Sequence, residues 1–582
     1  MIDLSLLSRR PDGKDTAANQ LAEEGGLFFN TGGQNASITI NEEEGVQENF
    51  QSLEVIAANE EYNKSKDASE NVTLSSPKES PRQVENLEKN GSGFYNPVMG
   101  VYRDFIVLLN RVIFEKFTTA ILTKAKEILG KEQQLSNNID NATTTPPMSD
   151  ILSSFRATSS FHFADAFAGV GPLSIRIHKS LRDAQESIDI KQTEKESLDP
   201  NYLCEDKANL LGYTVSANDM SPSCYDLIRN NCLVNEIQIE AGNLHPGGLG
   251  GIFKRSNSDA NLFLTEMGVL GQQNQNNEEF GNSSSSSKPS VFRSTKRFLP
   301  ATHVHLDPFG CVTNYLDAAV NALDLRADRA RAAGVSSVLS VTATDVGVLY
   351  DRRYIANLKR HYGVLEINKK RHYTFREQGA RILLGAIARS CGRRDCGIKK
   401  CHFAFPYAHF ILCSVEVDYK SKNRTVDFMR MSKTGEGPFY MGPIFDRQTL
   451  LEMWAKSGAR LDDQTLNADD SNESIVSTSV DTRKFLNKLL IEFEASERSP
   501  TNTPFFCSIP DVARKLSCSA IPSREKIIEY IMKNYNVKCS GTVFDVAGGL
   551  KVGSNELTND DATSHDKENI VEQALKHALN DS

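Results

Sequence analysis

Four apolar runs in this chain each climb to an acid. Phe161–Asp165 is followed by Ala166-Phe167-Ala168-Gly169-Val170-Gly171, Tyr213–Asp219 by Ser221-Pro222, and His303–Asp307 by Pro308-Phe309-Gly310. The fourth run is Ser337–Asp345. Short apolar runs closed by such residues read as buried strands, and the Gly and Pro after them break the strand. Helical periodicity follows from Pro172 to about Leu181. It follows again from Asn314 to about Ala333, where Leu316, Ala319, Val320 and Leu323 share a face. Strand, turn and helix repeated in this way predict a doubly wound α/β sheet. Ligands of such sheets bind outside the carboxyl ends of the strands, where these acids stand.

The acids differ in their downstream neighbours. Asp307-Pro308-Phe309-Gly310 suits transfer to an exocyclic amine, whose lone pair is delocalised into its ring. A carboxylate and a proline-linked carbonyl can accept the amine hydrogens while the aromatic ring stacks on the base, so the gain comes from positioning and electrostatics. The competing reading is a strand ending in an ordinary turn, since Asp-Pro and Gly are common punctuation. Asp165 precedes the turn Gly169-Val170-Gly171, whose glycines let the backbone approach a ligand at the start of a helix. That spacing fits a nucleotide or S-adenosylmethionine equally. Asp219 ends the next strand, where an acid binds a ribose diol, although helix capping before Ser221-Pro222 is the competing role. Ser258-Asp259-Ala260-Asn261 is a third acidic turn.

A chain of 582 residues implies two domains with intervening polar segments. Residues 1–90 read as a mostly disordered extension with one alternating stretch, Ala36–Ile40. Residues 91–420 read as the α/β domain, with polar insertions near 131–150, 183–206 and 242–296. The last of these carries a Gln/Asn/Ser-rich tract from 268 to about 296. A helix is expected through Ile106, Leu109, Val112, Ile113 and Phe117. Residues 421–552 read as a smaller C-terminal α+β domain with helices at Phe485–Phe493, Ile509–Leu516 and Ser523–Asn534, and 553–582 as a loose acidic tail.

The net charge of −9 hides a basic segment at 351–400, where fourteen Lys and Arg face four acids. That excess suits several phosphate contacts, and a solvated helix face is the bland alternative. Eleven Cys without a Cys-x-x-Cys pair point to reduced thiols. Cys391, Cys396, Cys401 and His402 match no standard zinc spacing, so no metal is expected. No apolar run is long enough to span a membrane. Met1–Gln20 lacks a signal-peptide core and mixes Arg9, Arg10 and Lys14 with Asp3, Asp12 and Asp15. The expected compartment is nucleus or cytoplasm, with the mitochondrion left open.

Together these segments resemble the tRNA guanine-26 N2-dimethyltransferase family. The resemblance runs from about Phe94 to Gly541. It is carried by Phe94-Tyr95-Asn96-Pro97-Val98 with Arg103-Asp104, by Ala217-Asn218-Asp219, and by Asp307-Pro308-Phe309-Gly310 with Leu316-Asp317-Ala318-Ala319-Val320. Val341–Asp345, Ala380–Leu384 and Gly437–Pro443 add to it. It implies a class I S-adenosylmethionine-dependent methyltransferase domain, a Rossmann-like doubly wound sheet, with a C-terminal domain that binds tRNA. It implies S-adenosyl-L-methionine as methyl donor, tRNA as partner, and one or two methyls added to guanine N2. Arg103, Asp219, Asp259 and Ala260 fall at donor-contacting positions, beside Asp165, Gly169 and Gly171. Asp307, Pro308 and Phe309 fall at catalytic positions. Of the two family arginines after the glycine turn, Arg176 is kept and Leu173 replaces the other, and Phe167–Pro172 resembles a tRNA guanine-N1 methyltransferase turn. The alternatives left open are methyl transfer to another RNA guanine or amine, and a tRNA-binding or tRNA-folding protein of weakened turnover. A monomer is expected.

Overall fold

The computed structural model describes residues 99–136, 161–196, 212–239, 251–268, 300–325, 336–367, 374–432, 435–458, 476, 478–496, 506–518, 520–553 and 564–580. The extension 1–90 with Ala36–Ile40, the Phe94–Val98 motif and the tract at 269–296 lie outside them. The chain divides into two compact units, Met1–Phe263 with Asp470–Val480, and Leu264–Asp469 with Asp481–Ser582.

In the first unit, helix α1 (Gly100–Ser136) precedes strand β1 (Phe161–Asp165), α2 (Pro172–Glu196), β2 (Tyr213–Asn218), α3 (Pro222–Val234), β3 (Ile252–Ser256) and the first turn of a helix α4 over 260–268. β1 and β2 pair in parallel with Phe161 opposite Tyr213, and β3 joins β2 in parallel. Both β1 and β2 are buried along their whole length, as parallel strands covered on both faces must be. The expected face of α1 is buried, and Phe114 and Phe117 meet Phe161 edge-on at 5.4 and 5.7 Å. Arg111 on the same helix donates to the Ser180 carbonyl of α2 at 2.6 Å.

The second unit runs β4 (His303–Leu306), α5 (Leu316–Ala322), β5 (Ser337–Ala343), α6 (Val346–Tyr350), α7 (Ile355–Tyr362), α8 (Phe375–Gly392), β6 (Gly397–Tyr407) and β7 (Phe410–Asp418). β4 and β5 are parallel, and β7 pairs antiparallel with both β5 and β6. Hydrogen bonding orders the strands β3-β2-β1 in the first unit and β4-β5-β7-β6 in the second. Polar residues occupy the middle of these strands because they satisfy one another. His303 Nε2 meets Ser340 Oγ at 2.7 Å and Ser340 Oγ meets Ser414 Oγ at 2.8 Å, all three buried. Burial drives the His303 pKa well below its ordinary value, so the ring is neutral.

After β7 the same unit continues through α9 (Lys422–Phe428), β8 (Met429–Arg430), β9 (Phe439–Tyr440), α10 (Arg447–Lys456), α11 (Val480–Ser496), β10 (Cys507–Ser508), α12 (Ile509–Lys515), α13 (Arg524–Tyr535), β11 (Cys539–Thr542), β12 (Asp545–Val552) and α14 (Ser564–Asn580). β10, β12 and β11 form a small sheet in that order. Ser508 and Ser523 cap α12 and α13, each side chain accepting a backbone N–H.

Several expected boundaries move. α1 extends to Ser136, into the insertion expected at 131–150. α2 continues to Glu196 instead of stopping near Leu181, because no Gly or Pro interrupts Leu173–Asp199. The insertion expected at 242–296 contains β3 and α4. α5 stops at Ala322, not near Ala333. There Ala301 N–H bonds the Ala322 carbonyl at 2.8 Å and the Ala301 carbonyl takes Asp324 N–H, which draws Leu323 into a bridge. The expected loose tail holds α14, whose Val571, Ala574, Leu575 and Ala578 recur at helical spacing and are buried.

The boundary expected at 420/421 falls inside the second unit. Glu377 of α8, fully buried, pairs with Arg381 at 2.9 Å and with Lys551 of β12 at 2.8 Å. Arg381 also donates to the Tyr440 and Gly442 carbonyls at 2.9 and 3.0 Å, pinning the Gly437–Pro443 segment. Such a cluster is strongly destabilised when one partner is removed.

Candidate active site

The donor-type residues stand in the first unit. β1 ends at Asp165, whose buried carboxylate accepts the Ser174 hydroxyl at 2.8 Å from the first turn of α2. Between them the chain turns on Gly169 and Gly171, at φ +54° and +90°, a conformation other residues seldom adopt. A Cβ on Gly171 meets Ile228 at 3.3 Å as well. Asp219, one residue beyond β2, holds this turn. Its Oδ2 accepts Gly169 N–H and its Oδ1 accepts Ser221 N–H, each at 2.9 Å. Burial pushes the Asp219 carboxyl up, against the pull of the Ser221 and Gly169 N–H groups. Capping of α3 is done by Ser221, whose side chain accepts Cys224 N–H, so the capping role weighed for Asp219 belongs to its neighbour.

Asp259 caps α4, its Oδ1 accepting Asn261 and Leu262 N–H at 2.9 and 3.2 Å, while Ala260 is buried behind it. Arg103 is buried on α1. Arg176 on α2 donates to Asp104 Oδ1 at 2.5 Å, and Asp104 Oδ2 accepts Ser479 N–H at 3.0 Å. Arg176 therefore fastens α2 to α1, and Leu173 is buried one turn earlier.

One residue here carries a role that sequence reasoning missed. Asn218 reaches the Ala166 and Ser258 carbonyls at 3.2 and 3.0 Å, and its Oδ1 accepts from Ser258 N–H and Oγ. It thus joins the glycine turn to the Asp259 turn. The signal was present in Ala217-Asn218-Asp219: a carboxamide offers donor and acceptor together, which two facing loops require.

The acceptor-type residues stand in the second unit. Asp307 leaves the end of β4, Pro308 is buried, and Phe309 is 82% exposed. Gly310 at φ +85° completes the turn. Thr344, just past β5, closes it: its hydroxyl accepts Gly310 N–H at 3.0 Å and donates to the Pro308 carbonyl at 3.1 Å. Asp345 beside it accepts the Tyr362 hydroxyl at 2.6 Å, and burial raises its carboxyl pKa. Thr344 and Tyr362 were not singled out from sequence.

The basic segment is more compensated than its local count suggests, because acids from elsewhere reach it. Arg393 pairs with Asp317 at 2.6 Å, Lys399 with Glu416 at 2.7 Å, and Lys400 with Glu416 and Asp446 at 3.5 and 3.4 Å. Burial works to raise Glu416, yet His402, Lys399 and Lys400 pull it down to about 2. Arg381 is buried, and Arg389 donates to the Tyr362 carbonyl. Arg360, Arg376 and Arg394 remain exposed. The cysteines face carbonyls, Cys396 that of Cys391 at 3.3 Å and Cys401 that of Ile444 at 3.4 Å. Among the described residues no group of three or more His, Cys, Asp or Glu could hold a metal, and no helix is long and apolar enough to cross a membrane.

These parallel strands, with acids and glycines at their carboxyl ends, have the Rossmann-like fold of class I methyltransferases. The structure of Trm1 from Pyrococcus horikoshii with S-adenosyl-L-methionine shares it at a TM-score of 0.50 and 16% identity, covering 83% of this chain and 94% of that one. Residues 210–423 match the model of the N2,N2-dimethylguanosine tRNA methyltransferases. The tRNA (guanine(27)-N(2))-dimethyltransferase of Homo sapiens is 28% identical over 205 residues, 35% of this chain and 23% of that protein. The tRNA (guanine(26)-N(2))-dimethyltransferase of Methanocaldococcus jannaschii is 22% identical over 320 residues, 52% of this chain and 63% of its own. The chain thus spans about a quarter of the animal relatives it matches.

Proposed function

We propose that the protein transfers methyl groups from S-adenosyl-L-methionine to the exocyclic N2 of a tRNA guanine. The observation that carries this is the Asp307–Gly310 turn: an acid, a proline carbonyl and an exposed aromatic ring at the end of β4, inside the span that matches the family. A guanine amine is a weak nucleophile because its lone pair is shared with the ring. The Asp307 carboxylate and the Pro308 carbonyl accept its two hydrogens, Phe309 stacks on the base, and the nitrogen is held in one orientation. As the new bond forms, an Asp307 oxygen takes the released proton.

The first unit fits the donor. Its positive-φ glycines allow close backbone approach, and Asp219 and Asp259 offer carboxylates to a ribose and its base. When bound, the donor supplies a sulfonium-activated methyl. The exposed Arg360, Arg376 and Arg394 provide phosphate contacts for the tRNA. The relatives are named for guanine 26 or 27, and these two positions are the targets to examine.

The test is mass spectrometry of nucleosides from unmodified tRNA incubated with protein and donor, with the site mapped on nuclease fragments. N2-methylguanosine or its dimethyl form at 26 or 27, absent with Asp307→Ala, is the expected result. Donor binding with no methylguanosine on any tRNA overturns it in favour of a tRNA-binding or tRNA-folding protein.

A further inference from the structure

We infer that Thr344 is the positioning residue of the acceptor loop, and that its hydroxyl acts chiefly on the first of two methyl transfers. The inference rests on the guanine-N2 reading above. A threonine hydroxyl has one hydrogen and two lone pairs. Here the hydrogen goes to the Pro308 carbonyl at 3.1 Å and one lone pair takes Gly310 N–H at 3.0 Å. The two bonds straddle Phe309 and close its turn into a ring, which leaves the 82% exposed side chain projecting from a fixed backbone.

Thr344 is itself held from behind. The adjacent Asp345 takes the Tyr362 hydroxyl at 2.6 Å, its carbonyl accepts Val348 N–H of α6 at 2.9 Å, and Gly363 closes α7 in the left-handed conformation at φ +60°. The Arg389 guanidinium on α8 donates to the Tyr362 carbonyl. The loop's shape is thereby referred to three helices and to the end of β5.

The consequence for the reaction comes from counting hydrogens. A primary amine offers two N–H groups, one for the Asp307 carboxylate and one for the Pro308 carbonyl. With one lone pair of that carbonyl engaged by Thr344, the other is aimed in a defined direction. After one transfer the amine keeps a single N–H, which Asp307 accepts, and the carbonyl has no hydrogen left to receive. Loss of the Thr344 hydroxyl therefore impairs the first transfer more than the second.

Single-turnover assays with unmodified tRNA and with tRNA already carrying N2-methylguanosine separate the two steps. Thr344→Val, which keeps the shape and removes the hydroxyl, should slow the first transfer about tenfold, the scale of one or two lost hydrogen bonds. The second transfer should slow by less, and donor affinity should be unchanged. Thr344→Ser, which keeps the hydroxyl, should keep the parent rates. Equal rates in Val and Ser variants, or equal slowing of both transfers, overturn the inference. If the Val variant misfolds, the Thr344→Ala and Thr344→Ser pair makes the same comparison. Hydrogen exchange at the Gly310 amide gives a readout apart from activity, with protection lost in Val and kept in Ser. If the parent protein leaves tRNA guanine unmodified, the functional reading fails, while the exchange result still decides whether Thr344 holds the loop.

Discussion

After β2 the chain closes the neighbouring glycine turn with a charged group, and the turn after β4 is closed by a neutral one. Asp219 spends one carboxylate oxygen on Gly169 N–H and the other on Ser221 N–H. The Asp307 turn is instead closed by the Thr344 hydroxyl, between Gly310 N–H and the Pro308 carbonyl. Two acids that look alike at strand ends therefore differ in kind. Asp219 holds its own turn, while the turn after Asp307 is closed by a hydroxyl from the end of another strand. Substitutions should separate stability from chemistry along this line.

The largest effect is expected at Asp307. Asp307→Asn removes an acceptor oxygen and should lower the single-turnover rate by about 10²–10³, as loss of an oxyanion-hole donor does. Its folding stability should stay within about 0.5 kcal/mol of the parent in denaturant melts. A variant that unfolds early would erase the contrast with Asp219.

Next in size is a third kind of acid, Glu492 of α11, which is fully buried and serves neither turn. Its carboxylate oxygens accept the Thr542 hydroxyl at 2.6 Å and Val543 N–H at 2.7 Å. Burial raises its pKa to about 7, against the pull of Lys551 and those two donors. Because the folded value exceeds the unfolded one, the native state binds more protons between about 4.5 and 7. Stability from this group is present below that window and is lost as pH rises through it, by about 3 kcal/mol. Glu416, held down to about 2, acts in the opposite sense and only below its ordinary range. Glu492→Gln should flatten the dependence between pH 5 and 7.5 in thermal melts, and an unchanged slope would remove Glu492 as its source.

Asp219→Ala comes third. It strands two backbone N–H groups and should lower stability by about 1.5–3 kcal/mol, with a comparable loss of donor affinity by calorimetry. Loss of affinity with full stability would make Asp219 a ligand contact alone and dissolve the contrast drawn with Asp307. The smallest effect concerns charge. Arg360→Glu with Arg394→Glu should reduce the salt slope of tRNA binding by about one for each phosphate the protein no longer neutralises. Lys399→Ala, whose partner is Glu416, should leave that slope alone.

The acids and glycines at the strand ends were legible because each is local. An apolar run of five to nine residues ending in Asp, with Gly or Pro soon after it, reports its own conformation whatever packs against it. The same holds for α13, where the Ser523 cap and the Ile527–Ile531 spacing stand in one short stretch. Pairings across long separations were not legible. Asn218 to Ser258, Thr344 to Pro308 and Glu377 to Lys551 join residues 40, 36 and 174 positions apart.

The basic segment makes the same point about charge. Its surplus is a local property of the sequence, whereas Asp317, Glu416 and Asp446 reach it from outside that window. By itself the sequence determined the strand–acid–turn units and hence the doubly wound sheet, since backbone conformation is set by neighbours a few residues away. Tertiary structure alone decided which turn is closed by its own acid and which by a distant hydroxyl. That choice depends on whether a distant N–H or hydroxyl arrives within about 3 Å, and hydrogen-bond geometry at that range is set by packing, not by neighbouring sequence.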